Sequence, residues 1–309
     1  MKILITGVHG FVGTNLVKAL SKEHTIYGLD IVAPINEGVR FTFSWDYLDM
    51  EDGIPEVDAI IHLAGKAHDT KNQSAADVYF KVNTDLTKKI YDYYLKSSAK
   101  KFIFFSTAKA AADKVDGVLT EDVVPTPVGP YGESKIAAEK YIQEHLVADK
   151  QVYILRPCMI HGPGNKGNLN LLYGLVKKGI PWPLGAFENR RTFTSIENLC
   201  FVIDGLLNKD VPTGIFNMGD DEALSTNELI EEICKSLGKK AHIWKLPKGL
   251  MNGVAKIGGV LHFPLDPERL RKLTEDYVSS NAKIKKALGV EKMPVDAREG
   301  LKVTLESFK

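Results

Sequence analysis

KILITGVHGFVGTNLVKAL (Lys2 to Leu20) decides how the rest of the chain is read. KILIT (Lys2 to Thr6) is a short apolar run stopped by glycine, which suits a fully buried strand, and FVGTNLVKAL repeats apolar residues at Phe11, Leu16 and Leu20, which suits a helix. Between them TGVHGFVG sets glycines at Gly7, Gly10 and Gly13. Strand, glycine turn and helix in that order make a phosphate cradle. The first glycine permits the tight turn, the second lets backbone approach a pyrophosphate, and the third lets the helix pack on the sheet while its N-terminus offers free N–H groups. Asp30 closes the next apolar run, TIYGLDI (Thr25 to Ile31), at the spacing such a cradle requires. A carboxylate there accepts from the adenosine ribose hydroxyls and repels a 2′-phosphate, which points to NAD(H) over NADP(H).

Outward from this unit, AIIHLAG (Ala59 to Gly65), KFIFFST (Lys101 to Thr107) and QVYILRP (Gln151 to Pro157) read as further buried strands. Helical patterns lie between them, at VNTDLTKKIYDYYLKSS and at GESKIAAEKYIQEHLV. Strands that are apolar throughout and alternate with helices predict an α/β fold, a Rossmann-type doubly wound parallel sheet covered on both faces. After Pro157 the texture changes to HGPGNKGNLN and GIPWPLGAFENRR, which read as long loops. TFTSIENLCFVIDGLLN suits a strand entering a helix, GIFNMGD a short strand, and helices dominate from STNELIEEICKSLG onward. The expected division is a cofactor-binding domain over 1–165, with a segment near 190–220 returning to it, and a smaller, mostly helical C-terminal substrate lobe over 166–309.

In 309 residues, 40 Lys+Arg against 39 Asp+Glu leave a net charge of +1, so the whole chain exerts no general pull on nucleic acid or membrane. Cys158, Cys200 and Cys234 are odd in number and lack CxxC spacing, which supports neither a disulfide framework nor a zinc site and suits a reducing cytoplasm. Gly7, His9, Gly10 and Asn15 interrupt the first apolar stretches, so no signal peptide is expected, and no apolar run approaches the roughly 20 residues of a membrane span. His62 and His68 lack metal-ligand spacing, and no metal is expected.

PYGESK (Pro130 to Lys135) sets Tyr131 and Lys135 four residues apart, on one face if a helix starts there. A cation beside a phenol favours phenolate and brings its pKa from about 10 toward working pH. The same spacing also suits an exposed tyrosine and lysine on a helix surface. Its neighbours decide. TGVHGFVG, Asp30, HLAG (His62 to Gly65), Val82 and Asn83, FFST (Phe104 to Thr107), PYGESK and RPCMIHGPG (Arg156 to Gly164) stand in the order seen in extended short-chain dehydrogenases/reductases. The chain resembles that nucleotide-sugar epimerase, dehydratase and reductase family over nearly its whole length.

The resemblance implies Tyr131 as catalytic acid/base, Lys135 as its pKa-lowering and ribose-binding neighbour, and Thr107 as the group that orients the reacting oxygen. It implies that Gly7, Gly10, Phe11, Val12 and Gly13 hold the pyrophosphate, Asp46 and Tyr47 the adenine, and Leu63, Ala64, Gly65 and Asn83 the cofactor groove, with Pro157 beside the nicotinamide. On the substrate side Asn168 resembles the asparagine that meets UDP and Arg191 the arginine that neutralises the diphosphate. Arg190 reads as a solvated neighbour. Arg269 or Arg271 offers a second diphosphate contact, or else both lie on the charged face of a helix. The family also implies a homodimer through paired helices, one of them the helix after Tyr131.

One departure stands out: STAKAAAD (Ser106 to Asp113) lacks the VYG tail common after the catalytic Ser/Thr. This stretch, with GPGNKGNLNLL, IPWPLGAFENRRTF and DDEALSTNEL, is most similar to a UDP-glucose 4-epimerase-like subgroup of bacterial surface-polysaccharide synthesis. Members of that subgroup reduce C4 of UDP-linked 4-keto-6-deoxy-N-acetylhexosamines. The expected activity is therefore that reduction with NAD(P)H. A UDP-hexose or UDP-N-acetylhexosamine 4-epimerase with bound NAD⁺ uses the same residues, and a catalytically silent NAD-binding sensor is a third reading. Ala108 and Lys109 stand where a 4,6-dehydratase would carry an Asp-Glu pair, which disfavours dehydration.

Overall fold

The structure, a computed structural model, describes residues 1–66, 75–165, 167–261 and 265–309. In the first half β1 (Lys2–Thr6), α1 (Phe11–Leu20), β2 (Thr25–Leu29), β3 (Phe41–Phe43), β4 (Ala59–His62), α2 (Ala76–Phe80), α3 (Leu86–Lys96), β5 (Lys101–Phe105), α4 (Ala108–Ala111), β6 (Val118–Leu119) and α5 (Pro130–Glu144) follow in order. The second half holds β7 (Gln151–Pro157), β8 (Met159–His161), α6 (Asn168–Lys177), β9 (Phe193–Ser195), α7 (Ile196–Asn208), β10 (Gly214–Met218), α8 (Thr226–Ser236), α9 (Lys248–Leu261), α10 (Pro267–Thr274), β11 (Val278–Ser279), α11 (Ala282–Leu288) and α12 (Ala297–Glu306).

Seven strands form one sheet in the order β10-β7-β5-β4-β1-β2-β3, and every pairing in it is parallel. Alternate residues of β1 feed opposite cores. Ile3 and Ile5 pack with Leu16 and Val17 of α1, with Leu199 and Ile203 of α7, and with Ile284 of α11. Leu4 packs on the other face with Ile90 and Tyr94 of α3 and Ala138 of α5. Burial on both faces is why the strands carry no polar alternation. The chain runs from β1 toward β3 on one side and from β4 toward β10 on the other. The order therefore reverses between β1 and β4, where an open α/β sheet leaves a crevice beyond its carboxyl ends.

The structure differs from the sequence reading in detail. β2, β4 and β5 end two or three residues before their apolar runs do, which leaves Asp30, Leu63 to Gly65, Ser106 and Thr107 past the carboxyl ends of the strands. HGPGNKGNLN is only partly loop: its His161 ends β8, and α6 starts at Asn168 because Leu169, Tyr173 and Val176 recur at helical spacing and are buried. Leu169 and Tyr173 join a third core with Leu229 and Ile233 of α8, Met251 of α9, Leu270 of α10 and Leu301 of α12. β10 lies at the edge of the main sheet and α7 packs on α1, so residues 196–218 rejoin the first half of the chain. Among the described residues no helix is long and apolar enough to cross a membrane.

Candidate active site

The glycine turn after β1 needs its glycines. Gly7 has φ +68°, and a Cβ there would lie 2.9 Å from the Ala64 amide nitrogen, so it meets both a backbone and a space requirement. A Cβ on Gly13 would lie 2.5 Å from the Val8 carbonyl oxygen, which seats α1 directly on the loop. Gly10 is the N-cap of α1. No side chain caps this end and no carboxylate sits in its first turn, so the first amides, including those of Phe11 and Val12, are available to an anion. Asp30 accepts from the His9 amide at 3.1 Å and from the Ile31 amide at 2.7 Å, tying the end of β2 to the glycine loop.

His62, at the end of β4, commits both ring nitrogens: Nδ1 to the Thr6 hydroxyl at 2.6 Å and Nε2 to the Thr87 hydroxyl at 2.9 Å. Burial, then the nearby Lys135 cation, holds its pKa well below the usual histidine range. It acts as a brace under the cradle, since the same Thr6 hydroxyl accepts from the Ala64 amide at 3.1 Å. His68 lies outside the described residues. Among those described, only Glu23, His24 and Asp204 bring three metal-type donors together, with both carboxylates exposed.

Asn83 sits in a π-helical turn (Lys81–Asp85), a form often found at functional sites. Its amide is fully used: Oδ1 accepts from the Lys66 amide at 2.7 Å, and Nδ2 donates to the Lys66 carbonyl at 3.1 Å and the Ser134 hydroxyl at 3.0 Å. It clamps the loop after Leu63, Ala64 and Gly65 against α5. A Cβ on Gly65 would lie 3.0 Å from Asn83 Oδ1 and 3.1 Å from Lys135 Nζ, so a side chain there would push against both.

Thr107, Tyr131 and Lys135 converge here. Thr107 is buried at the end of β5 and caps α4, accepting from the Lys109 amide at 3.3 Å. Pro130 in the first turn, after Gly129 at φ +83°, starts α5 and puts Tyr131 in that turn. The Tyr131 phenol hydrogen-bonds the Thr107 hydroxyl, and its ring meets Tyr79 edge-on at 6.3 Å. Burial pushes the phenol up from its ordinary value, and the Thr107 hydrogen bond opposes this only in part. That differs from the expectation that Lys135 draws the phenol down. Lys135 is buried, its ammonium donating to the Phe105 carbonyl at 2.8 Å and standing 4.9 Å above the Phe104 ring. Burial lowers its pKa to about 8, against the opposing charge of Glu139.

Behind Lys135 lies a network that the sequence did not single out. Glu139 is fully buried and takes three hydrogen bonds from Arg156, two from Nε at 3.0 and 3.2 Å and one from a terminal nitrogen at 2.6 Å. It also accepts from the hydroxyl of Ser106, beside Thr107. The i+4 spacing from Lys135 to Glu139 was the available signal.

Pro157 ends β7, buried, opposite Met218 of β10. Next to it burial pushes the Cys158 thiol up to about 12, which leaves it inert. Arg191 bridges by its backbone to Leu224 and Tyr277, and its guanidinium donates to the Lys272 carbonyl. Burial lowers its pKa. Arg190 points the other way, to solvent, and pairs with Glu228 at 3.2 Å. Arg269 is exposed beside Asp266 at 3.4 Å, while Arg271 turns inward to Asp113 at 3.3 Å and Glu275 at 2.8 Å, within electrostatic reach of Arg191. Asn168 stands exposed at the start of α6. Asp46 and Tyr47 lie in a 3-10 turn after β3, Asp46 exposed and Tyr47 against Phe43 at 5.3 Å.

In place of a VYG tail, Lys109 donates to the Asp113 carbonyl at 2.7 Å and to its carboxylate at 3.1 Å. It also stands 4.5 Å above the Tyr277 ring, whose hydroxyl donates to the Ala112 carbonyl at 2.8 Å. Burial alone would raise Asp113; Lys109 and Arg271 outweigh it and hold the carboxyl below its usual range. Residues 113 and 271 are too far apart in the chain for local pattern to show this link.

Residues 3–219 match the model of the NAD dependent epimerase/dehydratase family. The chain is 32% identical to UDP-glucose 4-epimerase of Vibrio cholerae over 323 residues, covering 99% of this chain and 95% of that protein. It is 27% identical over 293 residues to N-acetyl-alpha-D-glucosaminyl-diphospho-ditrans,octacis-undecaprenol 4-epimerase of Escherichia coli O157:H7, covering 92% and 84%. In fold it is similar to UDP-glucuronic acid 4-epimerase from Bacillus cereus in complex with NAD, with a TM-score of 0.75 at 22% identity, covering 100% and 98% of the two chains. With the glycine cradle, the crevice and the Thr107–Tyr131–Lys135 group all past the carboxyl ends of the central strands, the chain is an enzyme and belongs to the NAD dependent epimerase/dehydratase family.

Proposed function

We propose that the enzyme carries out reversible oxidoreduction at C4 of a UDP-linked hexose. The observation that carries this is the half-buried Tyr131 phenol on the buried Thr107 hydroxyl, with buried Lys135 one turn further along α5. NAD fits the residues present, because the first amides of α1 face neither a side-chain cap nor a carboxylate, and Gly7 and Gly65 let the loops after β1 and β4 pack closely beside them. In this proposal Gly7, Gly10, Phe11, Val12 and Gly13 hold the pyrophosphate, Asp30 the adenosine ribose, and Asp46 and Tyr47 the adenine. Leu63, Ala64, Gly65 and Asn83 wall the groove, Lys135 meets the second ribose, and Pro157 backs the nicotinamide. Bound NAD supplies hydride exchange with C4. Tyr131 takes the O4 proton when the carbonyl forms and returns it when the alcohol forms, and Thr107 donates to the same oxygen. Burial, which raises the phenol, favours the protonated form that donates in the reductive direction, while the oxidative direction runs through the disfavoured phenolate.

Arg191 in its partly dehydrated setting neutralises a diphosphate, and Asn168 meets the uridine side. Arg271, which shares Arg191's surroundings, is the second contact this proposal favours, and Arg269, exposed beside Asp266, is the alternative. The lobe that holds them, 166–309 without the returning segment, reads the sugar.

Interconversion at C4 is supported by the V. cholerae relative's name. Reduction of a UDP-linked 4-keto-6-deoxy-N-acetylhexosamine uses the same half-reaction and is supported by the STAKAAAD text. Incubation with UDP-glucose and UDP-N-acetylglucosamine without added cofactor, and separately with UDP-4-keto-6-deoxy-N-acetylglucosamine and excess NADH, separates them. Conversion to the C4 epimer in the first supports epimerase; stoichiometric NADH oxidation in the second supports reductase. Tyr131→Phe should lower kcat at least about 100-fold with NAD binding retained, and near wild-type turnover would sink both. A cytoplasmic homodimer paired through helices that include α5 belongs to the same proposal, checked by sedimentation velocity.

A further inference from the structure

The segment from Ile233 to Leu265 contains Lys235, Lys239, Lys240, Lys245, Lys248 and Lys256 and no acidic residue, in a chain whose net charge is +1. All six are exposed; Lys235 pairs back to Glu232 outside the segment, Lys239 donates to the Lys177 carbonyl at 2.6 Å and Lys248 stands 5.6 Å above the Phe187 ring. Within it α9 carries two apolar faces. Met251 and Ala255 are buried against the helical core. Leu250, Val254 and Ile257, spaced i, i+4 and i+7, form a second stripe that is 55%, 43% and 58% exposed. Trp244, on the extended segment leading into α9, is 54% exposed while its neighbour Ile243 packs on the core. Single exposed apolar residues are ordinary, but a repeated stripe with a tryptophan and a set of lysines is not.

We propose that α9 and Trp244 form a peripheral docking face for an anionic lipid bilayer. The acyl boundary takes up Leu250, Val254, Ile257 and the indole, and the headgroups meet the lysines. Nucleic acid would pair the lysines and leave the stripe in water. A second copy of the chain would bring lysines against lysines. The face is therefore complementary to a surface that is apolar and negative at once, which net charge cannot reveal. None of these residues belongs to the Thr107–Tyr131–Lys135 site, so failure here leaves the proposed chemistry untouched.

The test is co-sedimentation of the full chain with vesicles of phosphatidylcholine alone and of phosphatidylcholine mixed with phosphatidylglycerol. Partition should be at least about tenfold stronger on the anionic vesicles and should weaken as salt rises. Binding should blue-shift the fluorescence of the wild type by a component missing from Trp244→Phe. The double variant Leu250→Ser, Ile257→Ser should lose at least about tenfold in partition with unchanged turnover and melting temperature. Equal binding to both vesicles, no binding to either, or unchanged binding of the double variant overturns the proposal. Stripe-dependent self-association without vesicle binding also overturns it and assigns the face to a second copy.

Discussion

Lys135 carries its charge where burial opposes it, and its pKa falls from 10.5 to about 8. Between those values the unfolded chain binds the proton that the native chain has released. Its contribution to stability therefore rises with pH across that window, while the cation itself disappears. If the proposed chemistry needs the cation, kcat/KM should fall as pH climbs through about 8 with no matching loss in melting temperature. A flat kcat/KM profile across the window would remove the cation from the mechanism. Glu139 is the second residue with leverage, because it pairs with Arg156, which is 2% exposed. Glu139→Gln leaves the guanidinium buried against a neutral group and should cost about 3–5 kcal/mol in urea unfolding. Adding Arg156→Met should recover part of that loss. Tyr131 and Lys135 were legible as a spacing. That the ammonium turns to the Phe105 carbonyl, and that the phenol goes up, depends on surroundings that no local pattern encodes.

Elements were legible wherever their signal is local. β1, the glycine turn and α1 follow from an apolar run, three glycines and a helical repeat within twenty residues, and β4, β5 and β7 from similar runs. β3 was not, since it is a three-residue edge strand recruited by β2. α6 was hidden by its Gly- and Asn-rich lead, although Leu169, Tyr173 and Val176 hold the helical period. α8 announces itself in STNE: Ser225 accepts from the Glu228 amide, and the Glu228 carboxylate accepts from the Ser225 amide. Ser225→Ala should lower stability by about 1 kcal/mol, read by thermal melting, with kcat unchanged. A change in kcat would mean that α8 is coupled to the chemistry more tightly than its packing suggests.

At the scale of the molecule, the short α4 segment after Thr107 is tied to α10 through Asp113 and Arg271, and Tyr277 closes the same contact on Ala112. The link lies within electrostatic reach of Arg191, so under the proposed function it positions the substrate side against the cofactor side. Asp113→Ala should raise KM about two- to fivefold with kcat nearly constant. Its cost in stability should stay within about 1 kcal/mol, because partly exposed ion pairs contribute little to folding. Unchanged KM would show that the link is structural only. The sequence by itself determined the parallel sheet, the glycine turn after β1 and the i, i+4 spacing of Tyr131 and Lys135, because hydrophobic period, glycine spacing and helical repeat act over a few residues; the proposed roles of those side chains rest on the family resemblance. Only the tertiary structure decided the direction of the Tyr131 shift, the Glu139–Arg156 brace, the separation of Arg271 from Arg269 and the wet stripe on α9. Burial, desolvation and long-range pairing depend on which distant surfaces meet, and those meetings exist only once the chain has folded.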